Sequence, residues 1–234
     1  MLVHCDVKFT RIVYWIFTSR LEKDFLTKDC YSLSFLQLTM DISLYRSSDI
    51  VTIDFINDQS AGNFLYFAIN TIVYQRQVYP ADVFTRVVRF GLPLMVNTSE
   101  SFKNFLNRVV DAFQERVASK QIQKISLVIC SIPSGAVVER WDFVVSRANY
   151  AKLRGNCEKQ VQRVFHSISA VACFLKPLPP LCECDVELYI PTGSSVPDDC
   201  EVINPMFPKC AKNHNLPTAN VGPADFKLHV ITEF

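Results

Sequence analysis

The sequence has almost no excess charge of either sign and few residues that are arranged for catalysis. Its 24 Lys and Arg residues nearly balance 23 Asp and Glu residues, so the formal net charge is +1. Without a strong overall field, the composition indicates neither direct nucleic-acid binding nor an enzyme of acidic substrates. The four histidines lie in no recognisable motif, and no Gly-x-Ser-x-Gly or glycine-rich phosphate loop occurs. The sequence therefore predicts no catalytic residues, no cofactor and no enzymatic activity.

Long apolar runs are also absent. The run "IVYWIF", residues 12–17, is too short for the core of a signal peptide or for a membrane span. Nine cysteines are present, an odd number without Cys-x-x-Cys spacing, which favours reduced thiols over a disulfide framework. We expect a soluble intracellular protein.

The first 50 residues are hard to interpret because they are apolar but show no sustained period. Two interpretations stay open for residues 1–50. They form an added structural element, or they result from a start site assigned too far upstream, with Met40 as the internal alternative. The remaining length suits one domain, expected over residues 55–230.

Helical periodicity begins after this segment. The expected helices are 57–79, a second that starts near Ser99, and Cys157–Leu175. The first is predicted to end at Tyr79-Pro80, because the residue before proline disfavours helical backbone. Its apolar residues include Phe67 outside the main stripe, so burial on more than one side is expected.

Strand patterns lie between and after these helices. Two β-rich runs flank Pro133-Ser134-Gly135 and predict a hairpin, with Val137 on the same face as Trp141. Residues 182–190 alternate, with Cys182, Cys184, Val186, Leu188 and Ile190 inward and Glu183, Asp185, Glu187 and Tyr189 outward. The fold class is therefore α+β: three helices packed on a mostly antiparallel sheet.

The segment after Ile190 is rich in proline and has little periodicity. We expect residues 191–225 to lack regular structure and only "FKLHVITEF" at the end to form a strand. A long connection of this kind after a strand with a polar face suits β-augmentation, in which an extended peptide pairs with a sheet edge. The alternative is an ordinary surface loop.

A metal site is the other alternative for this region. Cysteine and histidine side chains could bind zinc, and the candidate ligands are Cys182, Cys184, Cys200, Cys210 and His214. Cys182 and Cys184 share the inward face of an apolar strand, and cysteine is commonly buried as a small hydrophobic residue. Core packing is therefore favoured, and no metal is predicted.

Three stretches of the sequence resemble the HORMA domain family, in particular its spindle-assembly-checkpoint branch. They are "FAINTIVYQRQVYPADVFTRVVRFGLPLMV" (67–96), "SGAVVERWDF" (134–143) and "VACFLKPLPPLCECDVELYI" (171–190). The resemblance covers about residues 55–230. The matching motif residues are Tyr74, Gln75, Arg76, Tyr79, Pro80, Glu139, Arg140 and Trp141.

The resemblance implies a peptide clamp that switches between open and closed states. In this family a C-terminal "safety belt" opens, a short motif pairs with the sheet edge, and the belt closes over it. The belt would be residues 191–234, with contacts from Phe226, Leu228 and Val230. The implied partner-binding edge consists of Cys184, Asp185, Val186, Glu187, Leu188, Tyr189 and Ile190.

Partners and location follow from the resemblance as expectations. They are extended motifs of a kinetochore coiled-coil receptor and of the anaphase-promoting-complex activator, and an AAA+ remodelling ATPase with a HORMA adaptor. The location would be the nucleus, kinetochore and cytoplasm. A homodimer of open and closed forms would use Gln162, Arg163, His166 and Ser167, where His166 replaces a family arginine and could make pairing pH-sensitive. The alternative is the HORMA subunit of a translesion DNA polymerase or another peptide-clamping HORMA adaptor.

Overall fold

The computed structural model describes residues 2–5, 58–147, 157–191, 194, 200–209, 211–221 and 224–233, all of which belong to one compact unit. This part of the chain contains the helices α1 (Asp58–Gln75), α2 (Glu100–Ala118) and α3 (Cys157–Phe174). Its strands are β1 (Leu2–Cys5), β2 (Phe84–Arg89), β3 (Leu92–Asn97), β4 (Lys124–Ser131), β5 (Val137–Arg147), β6 (Cys182–Tyr189), β7 (Cys200–Val202), β8 (Ala211–Val221) and β9 (Ala224–Glu233). None of the described helices is both long and apolar enough to cross a bilayer.

The main sheet places the two ends of the described chain on opposite sides of its centre. Among the described residues its strand order is β7-β1-β6-β4-β5-β9-β8, and every neighbouring pair is antiparallel. Strands β2 and β3 form a separate antiparallel hairpin. The predicted α+β class, with three helices and a mostly antiparallel sheet, is confirmed.

Helix α1 is buried on several sides, as its sequence predicts. It packs against α2, α3 and β3. The Phe64 ring lies 5.8 Å from Phe165 of α3 and 4.8 Å from Phe226 of β9, measured between ring centroids. Phe67, outside the main apolar stripe, is also buried and meets Phe90 edge-on. Aromatic contacts therefore connect this helix to α3, to β9 and to the turn between β2 and β3.

The end of α1 lies at Gln75, four residues before the predicted end at Tyr79. Gln77 adopts left-handed backbone, with φ 54°, and its N–H is bonded to Tyr74 O. The Val78 N–H donates to Val73 O at 3.0 Å, the long closing bond of a Schellman motif. The helix thus ends through a backbone motif before the proline, which instead precedes the short 3-10 turn Ala81–Val83.

The predicted face of Val137 in strand β5 is wrong. Val137 was expected beside Trp141, but it packs with Val128 and Cys130, and Val128 lies opposite Arg140. The cause is a β-bulge between Ile129 and Cys130, which shifts the register by one residue. A one-residue shift moves a side chain to the other face of a sheet.

The prediction that residues 191–225 lack regular structure is wrong for most of their second half. Residues Ala211–Val221 form β8, which pairs with β9 and contacts α3. Pro217 falls at the register shift between Asn215 and Thr218, where a missing N–H is tolerated. The polar residues and this proline give β8 no strand pattern in the sequence. The segment forms a strand because β9 supplies the backbone pairing and α3 supplies the packing.

Candidate functional site

The strand β6 carries the predicted partner-binding residues. Its inward residues Cys184, Val186, Leu188 and the following Ile190 are buried, which confirms the predicted alternation. One side of β6 pairs with β4. The other side is also paired: Leu2, Val3 and His4 of β1 lie opposite Tyr189, Leu188 and Glu187. An added strand therefore occupies the edge that the sequence assigns to a partner peptide.

The added strand is enclosed by the segment that follows β6. Strand β7 pairs antiparallel with the far side of β1, so that Val3 lies opposite Val202 and His4 opposite Glu201. After β7, the chain crosses the sheet at Met206, which packs against Val128, Cys130 and Val137. It then reaches β8 and β9, beyond β5. Residues after β6 thus pass around the added strand and pair at the opposite end of the sheet.

A buried ion pair fastens this crossing to the sheet. Arg140 Nη1 lies 2.6 Å from Glu187 Oε2, and both side chains are fully buried. Arg140 Nη1 also donates to Met206 O at 2.7 Å, and the Met206 N–H donates to Glu187 Oε1 at 3.1 Å. The Phe207 ring covers the guanidinium, with 4.7 Å between Cζ and the ring centroid. We call Arg140, Glu187 and the backbone of Met206 the belt latch.

Neighbouring side chains orient the latch. Arg140 Nε donates to Asp142 Oδ1 and Arg140 Nη2 donates to Ser126 Oγ, each at 2.7 Å, and Arg140 also binds the Tyr189 hydroxyl. Burial acts to raise the pKa of Asp142, but Arg140, Ser126 and Lys124 together lower that pKa below its ordinary value. Asp142 therefore stays ionised and holds the guanidinium in place.

Glu187 shows why the polar face of β6 is more than a solvated surface. The sequence places it outward, and it does point away from the helices' side, toward Arg140. However, its side chain has no exposed area, because Arg140, Tyr189 and Met206 cover it. A buried carboxylate requires a partner, so Glu187 and Arg140 have to be considered together.

The two family motifs meet through a second buried ion pair. Arg76 Nε donates to both Glu139 oxygens, at 3.0 and 2.9 Å, and Arg76 Nη2 lies 2.8 Å from Glu139 Oε2. Trp141 Nε1 donates to Glu139 Oε1 at 2.5 Å. Burial raises the pKa of Glu139, and the contacts with Arg76 and Trp141 oppose that rise. Arg76 also donates to the carbonyls of Ala172 and Lys176 at the end of α3.

This pair explains why the motifs occur together. The Tyr-Gln-Arg step ends α1, and the Glu-Arg-Trp step lies in β5. Arg76 joins α1, β5 and the C-terminal end of α3, where unpaired helix carbonyls favour a cation. The contacts of Arg76, Glu139 and Trp141 are therefore structural, whereas Arg140 is itself part of the belt latch.

The remaining motif residues support the turn after α1. Tyr74 meets Phe84 edge-on at 5.1 Å between centroids, Gln75 is half-buried, and Pro80 is exposed. The Tyr79 hydroxyl lies 3.4 Å from Cys184 Sγ. Burial, followed by the neighbouring Cys184, raises the pKa of Tyr79 well above its ordinary value. Tyr79 therefore stays protonated and connects this turn to the inward face of β6.

The predicted belt residues lie on β9. Phe226, Leu228 and Val230 are buried and stand opposite Val145, Phe143 and Trp141 of β5. They are four strands away from β1 in the sheet order. These three residues of the predicted belt are thus held in the core beside β5, and they do not reach the added strand.

The predicted dimer face lies on α3, and only some of its residues are accessible to a second copy. Arg163 and His166 are exposed, and Ser167 is half-buried. Gln162 Nε2 donates to Phe90 O at 2.8 Å, in the turn between β2 and β3. Phe90 and Gly91 both have positive φ, as a two-residue hairpin of type I′ requires. Gln162 thus supports a strained turn within the same molecule.

The candidate metal ligands are not brought together in the described part of the chain. Cys182 and Cys184 are buried on the inward face of β6, whereas His214 lies on β8 at the other end of the sheet. The described residues contain no group of three or more His, Cys, Asp or Glu side chains with metal-binding geometry. Cys210 lies outside the described residues.

Cysteine reactivity should follow this placement. Burial raises the pKa of Cys130 and of Cys184 to about 12, whereas Cys173 is exposed on α3. Because the thiolate is the reactive species, iodoacetamide at neutral pH is expected to modify Cys173 while Cys130 and Cys184 stay unmodified. Peptide mass spectrometry measures each site, with urea-unfolded protein as the control in which all three react. Preferential labelling of Cys184 in the folded protein would contradict the described burial.

Three parts of the site have little sequence signal. The pairing of β1 involves only four residues, and β7 only three. The belt latch uses the backbone of Met206, which no side-chain pattern can reveal. The one available signal is that three of the four residues 2–5 are apolar and that a charged residue, Asp6, follows them, which is compatible with a short strand.

Comparisons with known proteins agree with this geometry. A family model described as "HORMA domain" matches residues 60–228. The chain is 34% identical over 174 residues to the Mitotic spindle assembly checkpoint protein MAD2A of Dictyostelium discoideum, covering 71% of this chain and 81% of that protein. It is 34% identical over 182 residues to the Homo sapiens protein of the same name, covering 74% and 84%.

A solved structure gives the same result at the level of the fold. A chain in "Crystal Structure of Mitotic Checkpoint Complex" superposes with a TM-score of 0.70 at 29% identity, covering 76% of this chain and 98% of that one. The family model spans both motifs, β6 and most of the belt. The chain therefore belongs to the HORMA domain family, and within that family it is similar to the MAD2 spindle checkpoint proteins.

Proposed function

We propose that this chain is a spindle assembly checkpoint adaptor that traps an extended peptide motif at the side of β6 opposite β4 and so delays anaphase. The observation that carries the proposal is the enclosed edge: a strand paired with β6 lies beneath a segment that passes around it and pairs beyond β5. Backbone pairing of this kind supplies affinity for an extended chain of varied sequence.

The belt latch explains how release could be slow. A trapped strand lies between β6 and β7, so it can leave only after the segment at Met206 separates from the sheet. Separation would expose the buried Arg140–Glu187 pair and the Phe207 contact. A conformational step of this size limits the dissociation rate. The arrangement with β8 and β9 beside β5 is the closed state of the clamp, and an open state must rearrange the belt.

The partners follow from the similarity to checkpoint proteins. The trapped motifs would belong to a kinetochore coiled-coil receptor and to the activator of the anaphase-promoting complex. An AAA+ remodelling ATPase with a HORMA adaptor would reopen the belt. The chain would act at kinetochores during mitosis and would otherwise be nuclear and cytoplasmic. The exposed Arg163 and His166 leave one part of α3 accessible to a second copy in the other state.

Fluorescence polarisation tests this proposal directly. Labelled peptides from the receptor, the activator and a translesion-polymerase partner are mixed with the full chain, and unlabelled peptide is then added to follow release. We expect receptor and activator motifs to dissociate on the order of minutes or more slowly. Scrambled peptides of the same composition are the matched control.

Two results would contradict the proposal. Selective trapping of the translesion peptide would keep the clamp but overturn the checkpoint assignment. Release of every motif as fast as that of the scrambled peptides would overturn the clamp itself.

A further inference from the structure

The strand at the clamp edge comes from this chain itself. Leu2–Cys5 pairs with β6 on one side and with β7 on the other, and both pairings are antiparallel. Val3 and His4 have a partner in each neighbouring strand. Residues 2–5 therefore occupy an interior position in the sheet, with backbone pairing on both sides.

We propose that Leu2–Cys5 is an internal ligand of the clamp, which occupies in cis the edge that partner motifs use. We call it the cis strand. This inference rests on the proposed function, because it names the occupant that a partner peptide must displace. The closed belt of the isolated chain is then closed over the chain's own residues, and partner binding is an exchange of one strand for another.

The register makes the two occupants mutually exclusive. The cis strand pairs with Glu187, Leu188 and Tyr189, which lie within the predicted partner-binding edge. One side of a strand can form one ladder of hydrogen bonds at a time. A partner motif that pairs with the predicted edge must therefore either remove Leu2–Cys5 or end before it reaches Glu187.

The enclosure of the cis strand equals that expected for a bound partner. Strand β7 belongs to the belt and pairs with the cis strand itself. The register partner of His4 on β6 is Glu187, whose side chain belongs to the belt latch. The same belt contacts that would retain a partner therefore retain the cis strand.

The family alone does not account for this strand. The HORMA family model matches residues 60–228, and residues 2–5 lie outside that range. The strand thus lies outside the segment that the family model matches. Because the occupant is covalently connected to the clamp, its pairing is intramolecular and independent of protein concentration.

The expected consequence is a slower onset of partner binding. If the edge is vacant in only a fraction of molecules, the apparent affinity for the partner is the intrinsic affinity multiplied by that fraction. Displacement also requires the belt to release β1 before a partner can pair. Removing the cis strand should therefore raise the association rate and leave the dissociation rate of the bound partner nearly unchanged.

A matched pair of substitutions in the full chain tests this inference. Val3→Pro removes a backbone N–H in the middle of β1, whereas Val3→Ala shortens the same side chain but keeps that N–H. We expect Val3→Pro to raise the association rate of the labelled receptor-motif peptide at least about tenfold, the factor that corresponds to an edge vacant in about 10% of molecules. Val3→Ala should stay close to the unsubstituted chain.

Hydrogen exchange of residues 2–5 provides a readout that needs no partner. Protection of these amides in the unsubstituted chain and in Val3→Ala, with loss of protection in Val3→Pro, is expected. A labelled peptide of residues 1–7 should also bind Val3→Pro and compete with the receptor motif there.

The outcomes separate this inference from the proposed function. Equal association rates for all three chains, with unprotected amides at residues 2–5, would overturn the cis strand and leave the clamp intact. Protected amides together with no binding of any motif, even to Val3→Pro, would support the cis strand and contradict the proposed function.

Discussion

Replacement of Arg140 by methionine is expected to lower the free energy of unfolding by about 3–5 kcal/mol. The guanidinium lies 2.6 Å from Glu187 Oε2, and neither side chain has exposed area. Its removal leaves the Glu187 carboxylate buried without the cation that neutralises it. Hydrogen bonds from Tyr189 and from the Met206 N–H would remain, which favours the lower end of this range.

Urea denaturation at neutral pH measures this loss. Arg86→Met is the matched control, because Arg86 is exposed on β2 and its replacement should change stability by less than about 0.5 kcal/mol. The double variant Arg140→Met with Glu187→Met should recover much of the loss, since a well-packed apolar pair often replaces a buried ion pair at little cost. Equal effects of Arg140→Met and Arg86→Met would contradict the belt latch.

Acid sensitivity gives a second readout of the same substitution. The lowered pKa of Asp142 means that its stabilising contribution is present above the ordinary aspartate pKa and is lost as the pH falls toward the folded-state value. Arg140 is one cause of that lowered pKa, so the variant has less of this contribution to lose. The stability difference between the two chains should therefore narrow as the pH falls below about 4.

Peptide release should respond to the latch as well. If Arg140 holds the belt across the trapped strand, Arg140→Met should speed dissociation of a bound motif by about tenfold, equivalent to about 1.4 kcal/mol. The double variant removes the unpaired buried charge but does not restore the hydrogen bond to Met206 O. The bound motif should therefore still dissociate fast from it. This contrast separates the loss of the belt contact from general destabilisation.

Replacement of Arg76 by methionine is expected to cost a similar free energy of unfolding, about 3–5 kcal/mol. Its side chain is 5% exposed and that of Glu139 is 2% exposed, with 2.8 Å between Nη2 and Oε2. The substitution leaves Glu139 buried and also frees the carbonyls of Ala172 and Lys176. Chemical denaturation measures the effect.

Two comparisons sharpen this experiment. Arg108→Met, on the exposed face of α2, is the matched control and should change stability by less than about 0.5 kcal/mol. A double-mutant cycle with Glu139→Gln should give a coupling energy of about 0.5–3 kcal/mol, as contacting residues do. Additive effects of the two substitutions would show that the motifs are not joined through this pair.

Local sequence patterns determined the helices and the inward face of β6. The apolar residues of α2 and α3 recur at helical spacing, and the residues from Cys182 to Ile190 alternate, so burial follows from the period alone. The motif stretches around Arg76 and Trp141 also indicated the family, because their residue types and order are specific.

Which buried charges pair with each other, in contrast, was decided by the tertiary structure. Arg76 and Glu139 are 63 residues apart and Arg140 and Glu187 are 47 apart, and nothing local indicates which charge meets which. The sequence showed Glu187 as a residue of a polar face, but only the crossing chain at Met206 makes it buried. Solvent exposure depends on what covers a face, and a strand's own period cannot specify that.

The same reason explains the strands at the sheet's ends. Strand β8 has polar residues and a proline, and strands β1 and β7 have four and three residues. Such segments become strands because an existing edge offers unpaired N–H and C=O groups. The sequence by itself determined the helices, the central strands and the family, through periodicity and motif. Only the tertiary structure decided what occupies the edge of β6, because backbone pairing between distant segments leaves no pattern in the side chains.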